Sequence, residues 1–258
     1  MIANTYTKTV SMLLRGPKGA TRAEAAGLAW LAEASTQVVK VIDVNDEQIV
    51  TEKLIHTPPN PQDAFHGGQA LAHIHNAGAQ AFGSPPRGWE GGIFIGIQRQ
   101  PCEPETQWAK FYTQQRVRPF LHRAQLVGNL DAAGAEIVEA ALVRIEEENI
   151  NAGEPVSRIH GDLWGGNVLF TTRGVVFIDP AAHGGHKLTD LAMLELFGFP
   201  YLDQFIDGYS SINPLPQGWE QQLCIHQLHP LAVHAFTHGP EYAAALVERA
   251  QRTLALLS

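Results

Sequence analysis

The chain opens with a strand-like run, Thr5 to Leu14, that stops at Arg15-Gly16-Pro17-Lys18-Gly19. Apolar residues then recur at helical spacing through Ala25, Leu28, Leu31 and Ala34. Thr21 precedes Glu24 by three positions, a capping-box signature for the start of that helix. Val38–Val44 and Ile49–Ile55 read as two more strands about a turn at Asn45-Asp46-Glu47. Three prolines in Thr57-Pro58-Pro59-Asn60-Pro61 form a stiff junction, which predicts a small β-rich lobe over residues 1–57.

Residues 58–258 read as mainly helical: Ala64–Ala77, Glu105–Leu121, Asp131–Glu148, Leu188–Leu196, Leu202–Tyr209, Trp219–Leu228, Leu231–Phe236 and Glu241–Leu257. A short hairpin, Val168–Phe170 with Val175–Ile178, interrupts them around Thr171-Thr172-Arg173-Gly174. Gly83 to Pro104 reads as a glycine- and proline-rich loop, longer than a simple connector and therefore a binding loop or lid. The predicted class is α+β, with no internal repeat.

Composition narrows the picture. Over 258 residues, 45% hydrophobic and 17% charged side chains describe a globular chain with a sizeable core. A formal charge of −8 without a basic cluster excludes a binder of nucleic-acid backbone. Cys102 and Cys224 lie far apart with no ligand spacing, which suits a reducing compartment. Met1 to Val10 carries no secretion signal and no segment is apolar enough to span a membrane, so a cytoplasmic protein with no membrane or obligatory protein partner is expected.

The chemistry concentrates in Ile159-His160-Gly161-Asp162-Leu163-Trp164-Gly165-Gly166-Asn167 and, beyond it, Val175-Val176-Phe177-Ile178-Asp179-Pro180. Asp162, with Asn167 five residues on and Asp179 twelve beyond that, has the makings of a phosphoryl-transfer site. Asp162 orients an acceptor hydroxyl and takes its proton. The Asn167 amide oxygen and the Asp179 carboxylate are hard oxygen ligands for Mg²⁺ on nucleotide phosphates. Among the late histidines His226, His229, His234 and His238, the last two stand four apart on one helical face. No nearby Cys, Asp or Glu completes a metal site and Pro230 interrupts the geometry, so they read as structural or pocket-lining. Glu146-Glu147-Glu148 reads as a solvated helix end.

Around these residues the chain resembles the fructosamine kinase (ketosamine 3-kinase) family, part of the protein-kinase-like group that includes aminoglycoside phosphotransferases. The resemblance is carried by His160–Asn167, Phe177–Asp179 with Pro180-Ala181-Ala182-His183-Gly184-Gly185-His186, and Thr189–Gly198. Trp108-Ala109-Lys110-Phe111-Tyr112 with Arg116, Arg118 and Pro119 adds to it. It implies a protein-kinase-like two-lobed fold with a truncated β-rich N-terminal lobe and a mainly helical C-terminal lobe. It also implies ATP and Mg²⁺ as cofactors and a small-molecule glycated amine or sugar as acceptor. Lys8 matches the strand lysine on the phosphates and Glu24 its helix partner. Thr51-Glu52-Lys53-Leu54 matches the adenine hinge, placing Glu52 and Leu54 beside the nucleotide. Asp190 matches an aspartate that bonds backbone amides near the catalytic loop. Trp164, His183 and His186 are the acceptor-pocket candidates, with satisfied structural histidines the alternative reading of the last two.

The pattern has departures. Only Met1 to Thr5 lie ahead of the Lys8 strand, too few for the two strands and glycine-rich turn that cover the phosphates in such folds. A late start or an abbreviated small lobe is expected, with weaker nucleotide affinity; a partial cover by Arg15–Gly19 is the less favoured reading. Gly165-Gly166 stands where the family has serine before glycine, and Gly88 to Gly96 lacks the usual Asp-Asn before Phe94-Ile95-Gly96. The expected reaction is phosphorylation of a ketosamine sugar hydroxyl in deglycation. Its rivals are a kinase for an aminoglycoside or other amino sugar and a weak or inactive pseudokinase that binds a nucleotide or metabolite.

Overall fold

The structure is a computed structural model that describes residues 5–9 and 19–258. The expected run of the first strand to Leu14, and the segment from Arg15 to Lys18, lie outside the described residues. Strands β1 (Thr5–Thr9), β2 (Val41–Val44) and β3 (Gln48–Glu52) form an antiparallel sheet in the order β1-β3-β2, and helix α1 (Ala20–Ala32) lies against it. The β2–β3 turn is the predicted one. Asn45 Oδ1 accepts from the N–H groups of Glu47 (2.8 Å) and Gln48 (3.0 Å), the local bonding that makes asparagine a turn former.

The capping box is corrected. Helix α1 starts one residue before Thr21, with Gly19 at its N-cap at φ 87° and no side-chain cap. Thr21 is therefore inside the helix, and its hydroxyl donates to the Asn45 carbonyl at 2.6 Å, tying α1 to the β2–β3 turn. Glu24 is left free of capping duty.

Helix α2 (Pro61–Asn76) follows the proline-rich junction. Asn60 caps it by accepting from the Asp63 N–H at 2.9 Å, and Pro61 takes the first position, where no N–H is needed. The predicted loop from Gly83 to Pro104 contains a hairpin, β4 (Ile93–Ile95) with β5 (Gln98–Gln100), whose first strand lies against α1. The helix predicted from Glu105 begins at Trp108 and runs further, as α3 (Trp108–Phe111), a widened π-helical stretch Tyr112–Val117 and α4 (Arg118–Leu126). Pro119 cannot donate the backbone bond a regular helix needs there, and the widened stretch leads into it. Helix α5 (Ala132–Glu147) completes this part. Glu146 near its end is half-buried rather than simply solvated, bonding Thr113 and Arg118.

The centre of the chain holds β6 (Ser157–Ile159), a 3₁₀ turn at Gly165–Asn167, the predicted hairpin β7 (Val168–Thr171) and β8 (Gly174–Phe177), and β9 (His183–Gly185) paired antiparallel with β6. Helices α6 (Leu188–Phe197), α7 (Leu202–Ile212), α8 (Trp219–His226), α9 (Leu228–Thr237) and α10 (Pro240–Leu256) finish the fold. Helices α2 and α7 meet at glycines. A Cβ on Gly68 would lie 1.9 Å from the Phe205 carbonyl oxygen, and one on Gly208 the same distance from that of Phe65. One hydrophobic cluster joins Leu28, Val39 and Ile49 to Leu71, Phe177 and Phe205; a second holds Trp108, Phe120, Leu142 and Leu246. Among the described residues no helix is long and apolar enough to cross a membrane.

Candidate active site

Asp190, in the first turn of α6, frames the loop that leaves β6. Its buried carboxylate accepts the N–H groups of His160 (2.7 Å) and Gly161 (2.9 Å) and meets His75 Nε2 at 3.0 Å. Tyr209 on α7 stands 2.8 Å from the other His75 nitrogen, so the α2–α7 contact delivers both supports. Burial alone favours the neutral acid, but the His75 bond, the nearby His160 ring and the Gly161 N–H outweigh it and hold Asp190 below the usual carboxylate range.

The next two residues turn the loop. His160 Nε2 donates to the Ile178 carbonyl (2.8 Å), which leaves Nδ1 to accept the Asp162 N–H at 3.3 Å. Burial keeps this imidazole neutral by lowering its pKa. Gly161 sits at φ 80°, and a Cβ there would come within 2.4 Å of the Ala181 carbonyl oxygen. A side chain would push the Asp179–Ala182 segment off the loop.

These supports bring Lys8, Glu24, Asp162, Asn167 and Asp179 to one cleft of about 240 Å³. Lys8 Nζ lies 2.9 Å from Glu24 Oε2 and 3.0 Å from Asp179 Oδ2. Burial works against the ammonium, but the two carboxylates outweigh it and raise its pKa. Among the described residues lining the cleft, the carboxyl groups of Glu24, Asp162 and Asp179 face one ammonium, which pairs with the first and the last. Asp162 is pushed up to about 7 by burial and then by Asp179, with Asn167 opposing. Glu24 also rises to about 7, chiefly through burial, which the pull of Lys8 only partly offsets.

The donor set suits a hard cation. Asn167 spends its amide N–H groups on Asp162 O (2.8 Å), Asp162 Oδ2 (3.3 Å) and Asp179 O (3.4 Å), so among the described residues its Oδ1 keeps both lone pairs. Asp179 stands at φ 52°, a left-handed conformation that aspartate tolerates, with its side chain 40% exposed to the cleft. A neutral amide oxygen beside a partly open carboxylate, in a cleft with excess negative charge, fits Mg²⁺.

A neighbouring cavity of about 370 Å³ lies between Val39 and Ile49 on one side and Leu169 and Ile178 on the other. Leu54 and Glu52 line it as the hinge assignment requires. The Glu52 carboxylate is occupied by the Lys40 N–H (2.9 Å) and Arg173 (2.6 Å), and its own N–H by the Lys40 carbonyl. Among the described residues no backbone hydrogen bond engages Lys53 or Leu54, so those groups remain for a ligand.

Trp164 is 46% exposed and borders both the cleft and a third cavity of about 740 Å³. The indole lies where a Cβ on Gly166 would be, 2.2 Å from the ring, while a Cβ on Gly165 would meet the Gly198 carbonyl at 2.9 Å. His183 and His186 require correction as acceptor contacts: both are buried away from the cavities. His183 donates from Nδ1 to Ala181 O (2.7 Å) and accepts from Arg116 Nε at 3.3 Å. His186 stacks on His226 and packs on Trp108. The β6–β9 pairing places His183 in a core strand, and His186, just beyond it, is buried against Trp108 and His226. Residues that the sequence did not single out are His75 and Tyr209, while the segment expected to be a binding loop carries the β4–β5 hairpin, which brings Ile93, Phe94 and Gly96 to the cleft. His234 and His238 do line the third cavity.

Comparison with known proteins gives the same frame. Residues 17–256 match the family model described as fructosamine kinase. A probable ketoamine kinase of Thermus thermophilus is 32% identical over 231 residues, 89% of this chain and 81% of that protein. A Thermobifida fusca crystal structure, assigned as a fructosamine-3-kinase, superposes with a TM-score of 0.90 at 40% identity over 97% of this chain and 85% of that one. A choline kinase from Cryptosporidium parvum shares the fold at a TM-score of 0.56 and 13% identity, covering 92% and 78% of the two chains.

Proposed function

The chain belongs to the fructosamine kinase family and is a small-molecule kinase, and on that premise we propose that it transfers the γ-phosphoryl group of ATP to a sugar hydroxyl of a ketosamine. Fructosamines, ribulosamines and related glycated amines are the proposed acceptors, and deglycation the proposed role. The observation that supports this most strongly is the convergence of Asp162, Asn167 and Asp179 on one cleft beside the Lys8–Glu24 ion pair.

The adenine would lie in the cavity between Ile49 and Leu169, against Leu54 and the free backbone of the Lys53–Leu54 hinge, beside Glu52. The phosphates would then extend toward Lys8, whose ammonium Glu24 already holds in place. Asn167 Oδ1 and the Asp179 carboxylate would hold Mg²⁺, which on binding supplies positive charge to the phosphate oxygens. Asp162 accepts the proton of the acceptor hydroxyl while that oxygen bonds to the γ-phosphorus and the bond to the ADP oxygen breaks. Trp164 offers an aromatic face to the sugar ring at the same point. Lys8, Glu24, Glu52 and Leu54, in the lobe proposed over residues 1–57, carry one face of the nucleotide site, and residues 58–258 supply its other face through Leu169 and Ile178, the metal ligands and the acceptor side.

The test is ADP release by the purified protein over fructosamines, ribulosamines, free sugars and aminoglycosides. Turnover is expected with the ketosamines. Turnover confined to aminoglycosides would transfer the assignment to the amino-sugar kinases, and silence over the whole panel would favour a pseudokinase.

A further inference from the structure

Past Asp162 and Trp164 the cleft opens into the largest of the three cavities, about 740 Å³. Its walls are Ile97 in the β4–β5 turn, Phe197 at the end of α6 and Phe236 on α9. Among the described residues that line it, Asp162 at the inner end is the sole carboxyl and none is a lysine or arginine. The main polar group is fixed: His234 Nδ1 donates to the Pro230 carbonyl at 2.8 Å, and its ring stacks on His238 and packs on Phe197. Its Nε2 makes no hydrogen bond to the described residues and, with burial lowering its pKa, remains an uncharged acceptor.

A ketosamine with its hydroxyl at Asp162 has to put its nitrogen substituent somewhere. The nucleotide side is closed to it by the phosphates, and this cavity is continuous with the acceptor position. An added charge here would lose its hydration without gaining a partner, whereas an apolar group would gain from burial against Phe197 and Phe236. Resting on the ketosamine-kinase reading, we propose that this cavity is the site for the acceptor's N-substituent and that it selects ketosamines of apolar and aromatic amines. His234 accepts a hydrogen bond from the N–H that distinguishes a ketosamine from a plain sugar.

Fructosyl adducts of benzylamine, methylamine, glycine and a diaminoalkane share one sugar and differ only in the substituent. The expected kcat/KM for the benzylamine adduct is about tenfold or more above that for the methylamine adduct, with the anionic and dicationic adducts lowest. Phe236→Ala should collapse the benzyl-to-methyl ratio, and His234→Phe should raise KM while His234→Gln, which keeps an acceptor, restores it. Ile97 is 38% exposed in a turn, so Ile97→Glu tests the wall without taxing the core. That variant should raise the diaminoalkane adduct relative to the benzylamine adduct. Equal kcat/KM across all four adducts, or ratios unmoved by Ile97→Glu, overturns the cavity assignment while leaving the ketosamine reading intact. No turnover of any ketosamine overturns both.

Discussion

Asp162 carries its charge with little help: one long bond from Asn167, a second carboxylate nearby and a buried position. A base in that state works by holding the acceptor oxygen in line. Asp162→Asn should lower kcat by about 10²–10⁴-fold while nucleotide affinity is retained, measured by turnover and by titration of the same preparation. Because Asp162 is pushed up to about 7 in the free cleft, kcat/KM should fall as pH drops below that value. The kcat profile should break at lower pH, since the added cation favours the carboxylate. Asp179→Ala should remove the dependence of nucleotide affinity on Mg²⁺, and affinity that keeps its full metal dependence in that variant would contradict the assigned ligand. Asp162, Asn167 and Asp179 were legible because one loop and one hairpin carry all three, so their spacing survives in the sequence. His75 and Tyr209 were not, because they reach Asp190 from helices far away along the chain.

Helix α2 shows how an element sets the site. Gly68 and Gly208 let it touch α7 at the backbone, and the same contact brings Tyr209 to His75 and His75 to Asp190. Gly68→Ala places a methyl group 1.9 Å from a carbonyl oxygen. It should cost about 1–3 kcal/mol in chemical denaturation and reduce kcat, since the Asp190 support shifts with the helix. Unchanged stability would mean that the helices part easily. The major helices were readable from their apolar period. The β4–β5 hairpin was not: its strands have three residues each, set among glycines and prolines whose composition signals a loop. The capping box misread α1 for a related reason, since Thr21 and Glu24 have the right spacing but spend their side chains on Asn45 and Lys8.

Across the whole molecule the buried imidazoles set how stability responds to mildly acidic pH. His183, His186, His226 and His229 are neutral in the fold because burial lowers their pKa, His226 to about 3. The unfolded chain takes up those protons near the ordinary value of about 6.5, so their contribution is fully present above that pH and is lost as pH falls. Asp162 and Glu24, raised to about 7, act in the opposite sense, but two carboxyls do not cancel four histidines. A net loss on the order of 1–3 kcal/mol per pH unit is expected between about pH 6 and pH 5, read from denaturant midpoints. A flat profile there would show that the rings are solvated in the fold. His183 and His186 looked like pocket residues in the sequence because they follow Asp179 closely. The pairing of β9 with β6 turns His183 into the core, and the rings of Trp108 and His226 enclose His186. The central claim is the transfer itself, and phosphorus NMR of the protein with ATP, Mg²⁺ and a fructosyl amine tests it most directly. ADP and a sugar phosphate ester should appear in equal amounts with the wild-type protein and not with Asp162→Asn. No ester from the wild-type protein, or the same ester from Asp162→Asn at the same rate, would contradict the account.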